Sequence, residues 1–162
     1  MKTVRNHLPL IILLLCLVGL PVSAQTGKFY STNNELSSSL INQIFQDERG
    51  FIWIATEYGL NKFDGLRFSN YKHISGDSTS IKNNYVRTLF EDNEQNLLVG
   101  CIDGLMKYDP ETDSFREIPM MRAGKQVFPH VTQMQKLHNG EIWIVTTGQG
   151  IFRLDEQRRQ AL

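Results

Sequence analysis

One pattern is written three times along this chain, and it limits the fold before any single residue is weighed. The first copy is Ile44-Phe45-Gln46-Asp47-Glu48-Arg49-Gly50-Phe51-Ile52-Trp53-Ile54-Ala55-Thr56, then Gly59-Leu60-Asn61-Lys62-Phe63-Asp64. The second is Leu89-Phe90-Glu91-Asp92, Asn96-Leu97-Leu98-Val99-Gly100 and Gly104-Leu105-Met106-Lys107-Tyr108-Asp109. The third is Leu137-His138-Asn139-Gly140-Glu141-Ile142-Trp143-Ile144-Val145-Thr146, then Gly150-Ile151-Phe152-Arg153-Leu154-Asp155. Asp64 and Asp109 stand 45 residues apart, and Trp53 and Trp143 stand 90 apart, twice that period. A fixed period of this size signals supersecondary units that bury a core by stacking on one another.

Each unit reads as short strands separated by turn chemistry. Ile41 to Gln46 alternates as a strand. Asp47-Glu48-Arg49-Gly50 is a turn, in which Asp binds its own backbone and Gly supplies a positive φ. Phe51 to Thr56 is β-branched and aromatic on both faces, as in a buried central strand. Leu60 to Phe63 is a third strand, and Leu66 to Tyr71 alternates as an outer fourth strand with one wet face. Helical repeats are excluded because no stretch shows a 3.6-residue apolar period and glycine interrupts each unit. The expected fold class is therefore all-β: blades of four antiparallel strands, about three of them, forming an incomplete β-propeller. The blades are expected at roughly 36–80, 81–126 and 127–162. Asp47 and Asp92, Asp64 and Asp109, and Trp53 and Trp143 recur with the period, so they are assigned to turns and core rather than to a ligand.

The N-terminus reads as a targeting segment. Lys2 and Arg5 precede an apolar run from Leu8 to Leu20, and Pro21-Val22-Ser23-Ala24 places small residues before a cut between Ala24 and Gln25. The run is too short to span a hydrocarbon core of about 30 Å as a helix. Residues 1–24 are thus expected to be a secretory signal peptide and 25–162 a partial propeller. The 17 basic and 17 acidic side chains leave no basic stripe for nucleic acid; losing Lys2 and Arg5 makes the exported part slightly acidic. Losing Cys16 leaves Cys101 alone inside an apolar strand, where an inert buried thiol is expected.

The unit resembles the two-component regulator propeller repeat of the periplasmic sensor region of hybrid histidine kinases from Bacteroidetes-type bacteria. The resemblance is carried by Leu36-Ser37, Ile41, Ile44, Asp47, Gly50, Ile52-Trp53-Ile54, Thr56, Gly59-Leu60, Phe63-Asp64-Gly65 and Phe68. It continues through Asn84, Val86, Leu89-Phe90, Glu91-Asp92, Gly104-Leu105 and Tyr108-Asp109-Pro110. The second unit departs at Gln95-Asn96 and Leu98, and the third has Leu137 where the others have Asp. The resemblance implies the N-terminal part of a longer sensor in the periplasm. Further blades, a small β-sandwich, a membrane span, a kinase core, a receiver and a DNA-binding domain would complete it. Its implied partners are a small-molecule or oligosaccharide ligand, the remaining blades and a second copy of the full-length protein; the membrane would be reached only through regions beyond this chain.

No catalytic, cofactor or metal residues are expected. His73, His130 and His138 fall in or near loops, and no thiol or carboxylate cluster joins the last two. Glu91, Asp92 and Glu94 surround a single turn and read as a solvated face. No Gly-rich nucleotide loop, G-x-S-x-G, H-E-x-x-H or CxxC occurs. The leading expectation is a non-enzymatic sensor module; a secreted propeller lyase or hydrolase acting on glycans and a protein-binding scaffold are the alternatives. The ligand contacts are left unassigned, with Glu57-Tyr58, Cys101-Ile102-Asp103 and Thr147-Gly148-Gln149 as the loops where the units differ. Phe29-Tyr30 would suit the outer strand of a closing blade, but the three units include no closing blade, and the chain reaches Leu162 as the third blade would start its last strand.

Overall fold

The β-branched runs become strands, and the Asp and Gly residues between them become turns. The computed structural model describes residues 27–155, 157 and 160–162. The expected signal peptide and its Ala24–Gln25 cleavage point lie outside the described residues. The first sheet is β1 (Ile41–Gln46), β2 (Ile52–Thr56), β3 (Gly59–Phe63) and β4 (Phe68–Tyr71). The second is β5 (Val86–Glu91), β6 (Leu97–Cys101), β7 (Gly104–Asp109) and β8 (Ser114–Ile118). A hairpin follows, β9 (Met120–Arg122) and β10 (Lys125–Val127), and then a third sheet, β11 (His130–Lys136), β12 (Ile142–Thr147) and β13 (Gly150–Arg153). Strands within each sheet pair antiparallel in chain order. The architecture is all-β, and a 3-10 turn at Thr32–Asn34 is the sole helical element among the described residues.

The period seen in the sequence is a structural register. Phe45 faces Trp53 across the first sheet, Phe90 faces Leu98 across the second, and Gln135 faces Trp143 across the third. Each first strand also bulges at the same place, at Asn42, Arg87 and Thr132. A bulge adds one residue and bends the strand locally.

Two apolar cores join the sheets face to face. Trp53, Ala55 and Leu60 of the first sheet pack with Val86, Leu89, Leu97, Val99 and Tyr108 of the second. Leu98 and Leu105 of the second pack with Val131, Met134, Ile142, Ile144 and Phe152 of the third. Gly100 lets the second and third sheets approach. A Cβ there would lie 2.6 Å from Thr88 Cγ2 and 2.7 Å from Val131 Cγ1.

The three β-turns perform one task with three sets of residues. In the first, the buried Asp47 accepts the Phe51 N–H through Oδ1 (2.9 Å) and the Trp53 indole N–H through Oδ2 (2.8 Å). In the second, Asp92 Oδ1 accepts the Asn96 N–H (2.9 Å), and Leu98 replaces the tryptophan; the Asn96 amide supplies the missing donor to Asp92 Oδ2 (2.9 Å). In the third, Leu137 replaces the aspartate, and the acid has moved four residues on. Glu141 accepts the Trp143 indole N–H (3.1 Å) and pairs with Arg153 (2.8 Å). An indole N–H shielded from water without a partner is costly, and Glu141 supplies the acceptor that Leu137 cannot.

A polar network is set into the first junction. Tyr71 and Tyr108 both donate to Asp113 Oδ1, at 2.6 and 2.5 Å. Lys62 donates to the Tyr108 hydroxyl (3.0 Å) and lies over the Phe51 ring (4.3 Å). Burial and the bond to Asp113 push the Tyr108 phenol up to about 12, and push Tyr71 up as well. Burial raises the Asp113 carboxyl, but the two phenol bonds and Lys62 outweigh it and leave it below the ordinary aspartate range. The folded state therefore favours the ionised carboxylate. Its contribution is complete above the unfolded aspartate pKa of about 4 and is lost as pH falls through the lower folded value. Asp113→Ala is expected to cost about 1–2 kcal/mol at pH 7. The gap from the parent in urea unfolding should narrow by pH 3; an equal gap at both pH values would contradict this.

Several expectations are corrected. The fourth strand of the first sheet begins at Phe68, not Leu66, because Asp64 Oδ1 accepts the N–H groups of Leu66 and Arg67 (both 2.7 Å) and holds them in the turn. Trp143 is half-buried, whereas Trp53 is fully buried, because no sheet covers Trp143 among the described residues. Residues 27–31 form no strand, as expected without a closing blade, and Tyr30 packs its ring edge to face against Phe63 and Phe68, at 5.4 and 5.3 Å. The hairpin was not foreseen. Its turn residues, Ala123 and Gly124, both have positive φ (50° and 76°), a geometry usually signalled by Asn-Gly. The 126/127 boundary expected between the second and third units falls inside β10. Finally, residues 160–162 line the third sheet. Arg153 and Leu162 exchange backbone hydrogen bonds (2.7 and 2.9 Å), and Ala161 bonds to Pro119 and Met121 of the hairpin side.

Candidate functional site

Function on a repeated scaffold is sought where the backbone repeats and the side chains do not. One end of the sheets carries the turns just described. The opposite end carries the loops between second and third strands, and here a recurring backbone frame holds different residues in each unit. The Glu57 N–H bonds the Leu40 carbonyl (3.1 Å), and the Ile102 N–H bonds the Tyr85 carbonyl (3.2 Å). His130 pairs with Thr147 at the matching register of the third sheet. Leu40, Tyr85 and His130 are thus equivalent positions, spaced by 45 residues, at the head of adjacent first strands.

Those first strands are side by side. Asn42 Nδ2 donates to the Val86 carbonyl (2.8 Å), and Gln43 both donates to the Leu89 carbonyl (3.0 Å) and accepts its N–H (2.8 Å). The Arg87 guanidinium reaches the Asn42 amide oxygen (3.1 Å). The Tyr85 hydroxyl donates to Glu57 (3.2 Å), and its ring meets that of His130 edge to face at 6.0 Å. Asn83 holds one oxygen of Asp103 (3.2 Å) and caps the Tyr85 N–H (2.9 Å). The Lys72 ammonium sits 4.2 Å above the exposed Tyr58 ring.

Two polar atoms at this end are enclosed yet unpaired: Asp103 Oδ1 and His130 Nε2. A buried polar atom without a partner costs free energy of about 1–3 kcal/mol, and such atoms mark places where a ligand group fits. Burial, and then the Arg87 charge, hold the His130 imidazole below its usual value, so it is neutral at pH 7. The arrangement offers a carboxylate acceptor, a neutral imidazole, a phenol and an exposed ring. That set suits hydrogen bonding and stacking to an uncharged polar ligand.

The structure brings Glu57 and Asp103 to this same end, with Tyr58 beside them. Thr147 joins them through its pairing with His130. Cys101 is buried, and burial pushes its thiol up to about 12, so it takes no part. His138 lies past the far end of β11, a strand's length from His130. His130 opens β11, next to the loop that precedes it. Glu91 reaches across the turn end to the Glu48 N–H (2.8 Å), and Asp92 is taken up by Asn96, so Glu91 and Asp92 serve separate structural roles. Tyr85 and Asn83 were not singled out from the sequence. The 45-residue spacing of Leu40, Tyr85 and His130 was the signal that could have found Tyr85.

Residues 35–58 match the family model of the two component regulator propeller. The chain is 36% identical over 74 residues to histidine kinase P4 of Formosa agariphila, an alignment covering 43% of this chain and 5% of the kinase. Its fold is similar to the extracellular domain of the hybrid two component system BT3049 of B. thetaiotaomicron, with TM-score 0.72 and 29% identity over 83% of this chain and 19% of that one. The extracellular domain of BT4673, from the same organism, shares the fold at 21% identity and TM-score 0.68, over 84% of this chain and 19% of that one. The chain thus spans only a small part of each relative's length. Residues 35–58 thus match one two-component regulator propeller repeat, and the sheets of the chain are propeller blades similar to those of the extracellular domain of the hybrid two component system BT3049.

Proposed function

We propose that this chain is part of the periplasmic ligand-sensing propeller of a hybrid sensor histidine kinase, and that it binds an oligosaccharide at the loop end of its sheets. The observation carrying the reading is the repeated frame that presents Leu40, Tyr85 and His130 side by side, with unpaired polar atoms on Asp103 and His130. Sugar hydroxyls would donate to Asp103 and engage the imidazole, and a sugar ring would stack on Tyr58 or Tyr85; aromatic side chains offer such an apolar face with a polar tip. The relatives support this setting, being extracellular domains of two-component systems and a histidine kinase. Residues 1–24 would direct export and be removed between Ala24 and Gln25. Binding would favour one arrangement of the blades over another, and that preference, carried to the kinase, is the signal. The chain itself binds and performs no turnover.

The test is a glycan array followed by calorimetry on the full chain, with Tyr85→Ala and His130→Ala beside it. An oligosaccharide should bind, and each variant should weaken it at least about tenfold, or 1.4 kcal/mol. Absence of binding to any glycan, or variants that bind as tightly as the parent, would overturn the reading.

A further inference from the structure

We propose that Asn139-Gly140 is a self-modifying site, at which the backbone nitrogen of Gly140 displaces the side-chain amide of Asn139 and leaves aspartate and isoaspartate in the turn. The inference is independent of the ligand. It rests on one residue pair set in a turn geometry that the chain repeats.

The turn between the first and second strands of each sheet has the same backbone form. Its fourth residue has positive φ in all three copies: 88° at Gly50, 61° at Gln95 and 88° at Gly140. Its third residue is Arg49, Glu94 or Asn139. Arg49 and Glu94 are exposed even though another sheet stacks on each of their blades, and Asn139 is exposed in the same way. Its exposure therefore belongs to the tip of the hairpin and not to what lies beside the third sheet.

Asn139 is the sole asparagine in the chain that precedes a glycine. After every other asparagine the next residue carries a Cβ, which crowds the approach of its nitrogen to the amide carbon. Nothing lies within 4 Å of the place where a Cβ on Gly140 would stand, and glycine has the widest backbone freedom. When the turn opens, the Gly140 N–H is released from the Leu137 carbonyl, its partner at 3.0 Å. The freed nitrogen bonds to Asn139 Cγ and gives up its proton. The bond from Cγ to Nδ2 breaks, and that nitrogen leaves with the proton as ammonia. Water then opens the five-membered imide at either carbonyl, giving aspartate or isoaspartate. Asp64-Gly65 also has a glycine at positive φ, 97°. The N–H groups of Arg67 and Leu66, however, hold the Asp64 carboxyl below its usual range and keep it ionised, without a comparable leaving group.

The product disturbs more than the turn. Asn139 Oδ1 accepts the Glu141 N–H (3.1 Å). Hydrogen bonds, first with Asn139 and then with Trp143 and Arg153, hold the Glu141 carboxyl below its usual range. Exchanging the amide for a carboxylate removes one of these partners and sets a second negative charge beside Glu141. Isoaspartate also lengthens the backbone of the turn. Glu141 then holds Trp143 and Arg153 less firmly, and the third sheet loosens from its turn end.

The test is peptide mapping by mass spectrometry of the full chain, folded and in urea, sampled over days in warm, mildly alkaline buffer. In the folded chain Asn139 should convert from amide to acid at least about tenfold faster than any other asparagine, as aspartate and isoaspartate together, with Asp64 unchanged. Asn139→Gln should abolish the conversion at this position and keep the circular dichroism of the parent. The aged folded chain should lose hydrogen-exchange protection in β12 and β13 while β5 to β8 keep theirs. An Asn139 that stays intact in the folded chain while it reacts in urea, another asparagine reacting first, or unchanged protection after conversion would each overturn the proposal.

Discussion

Replacing Gly100 with valine is expected to part the third sheet from the second. A Cβ at this position would overlap Thr88 Cγ2 and Val131 Cγ1 at 2.6 and 2.7 Å, and valine adds two methyl groups beyond it. Neither neighbour can swing away, because β-branched side chains in strands have few rotamers. Both are also held in inner strands whose bulges fix their direction. The relief left is separation of the sheets, which would uncover Leu98, Leu105, Val131 and Ile144. Overpacking a core costs typically 1–3 kcal/mol and occasionally more, and a loss at or above about 3 kcal/mol is expected here. Native-state hydrogen exchange should show β11 to β13 losing protection while β1 to β4 keep theirs. Uniform loss, or a stability change under 1 kcal/mol, would show that the junction accommodates the side chain.

The second large effect is a contrast between two equivalent residues. Trp53→Ala should cost about 3–5 kcal/mol, as expected for a buried aromatic. Trp53 is fully enclosed between Tyr71 and Tyr108, with ring centroids at 5.9 and 4.8 Å, and its indole N–H satisfies the buried Asp47. Removing it leaves a cavity and takes the hydrogen-bond donor from Asp47 Oδ2, which keeps only the Arg49 guanidinium at 3.7 Å. Trp143→Ala should cost about 1 kcal/mol in the monomer, because its ring is half-buried and Glu141 keeps Arg153 as a partner. Equal unfolding midpoints for the two variants would refute the idea that stacking neighbours, not the strand itself, set the worth of each tryptophan.

Much of the candidate site was within reach of the sequence, but not its composition. The loops Glu57-Tyr58 and Ile102-Asp103 were marked because the units differ there, and difference within a repeat is a local fact. That Tyr85 and His130 stand ring to ring at 6.0 Å is not local. It depends on two sheets stacking so that residues 45 positions apart become neighbours. The unpaired state of Asp103 Oδ1 and His130 Nε2 depends in turn on which side chains arrive from adjacent sheets. No spacing rule reports a missing partner.

Sequence alone determined the repeat, the strand order within each unit and the turn chemistry. These follow from backbone preferences over a few residues: Gly50 at φ 88°, Asp47 bonding the N–H four residues on, and β-branched runs between them. It also predicted correctly that the recurring Asp residues serve turns. Only the tertiary structure decided how each unit repairs its departures. The amide of Asn96 replaces an indole, and Glu141 replaces an aspartate four residues away. The physical reason is that a hydrogen-bond donor must be satisfied in space, not at a set position in the chain, so a repeat can keep its geometry while its letters move.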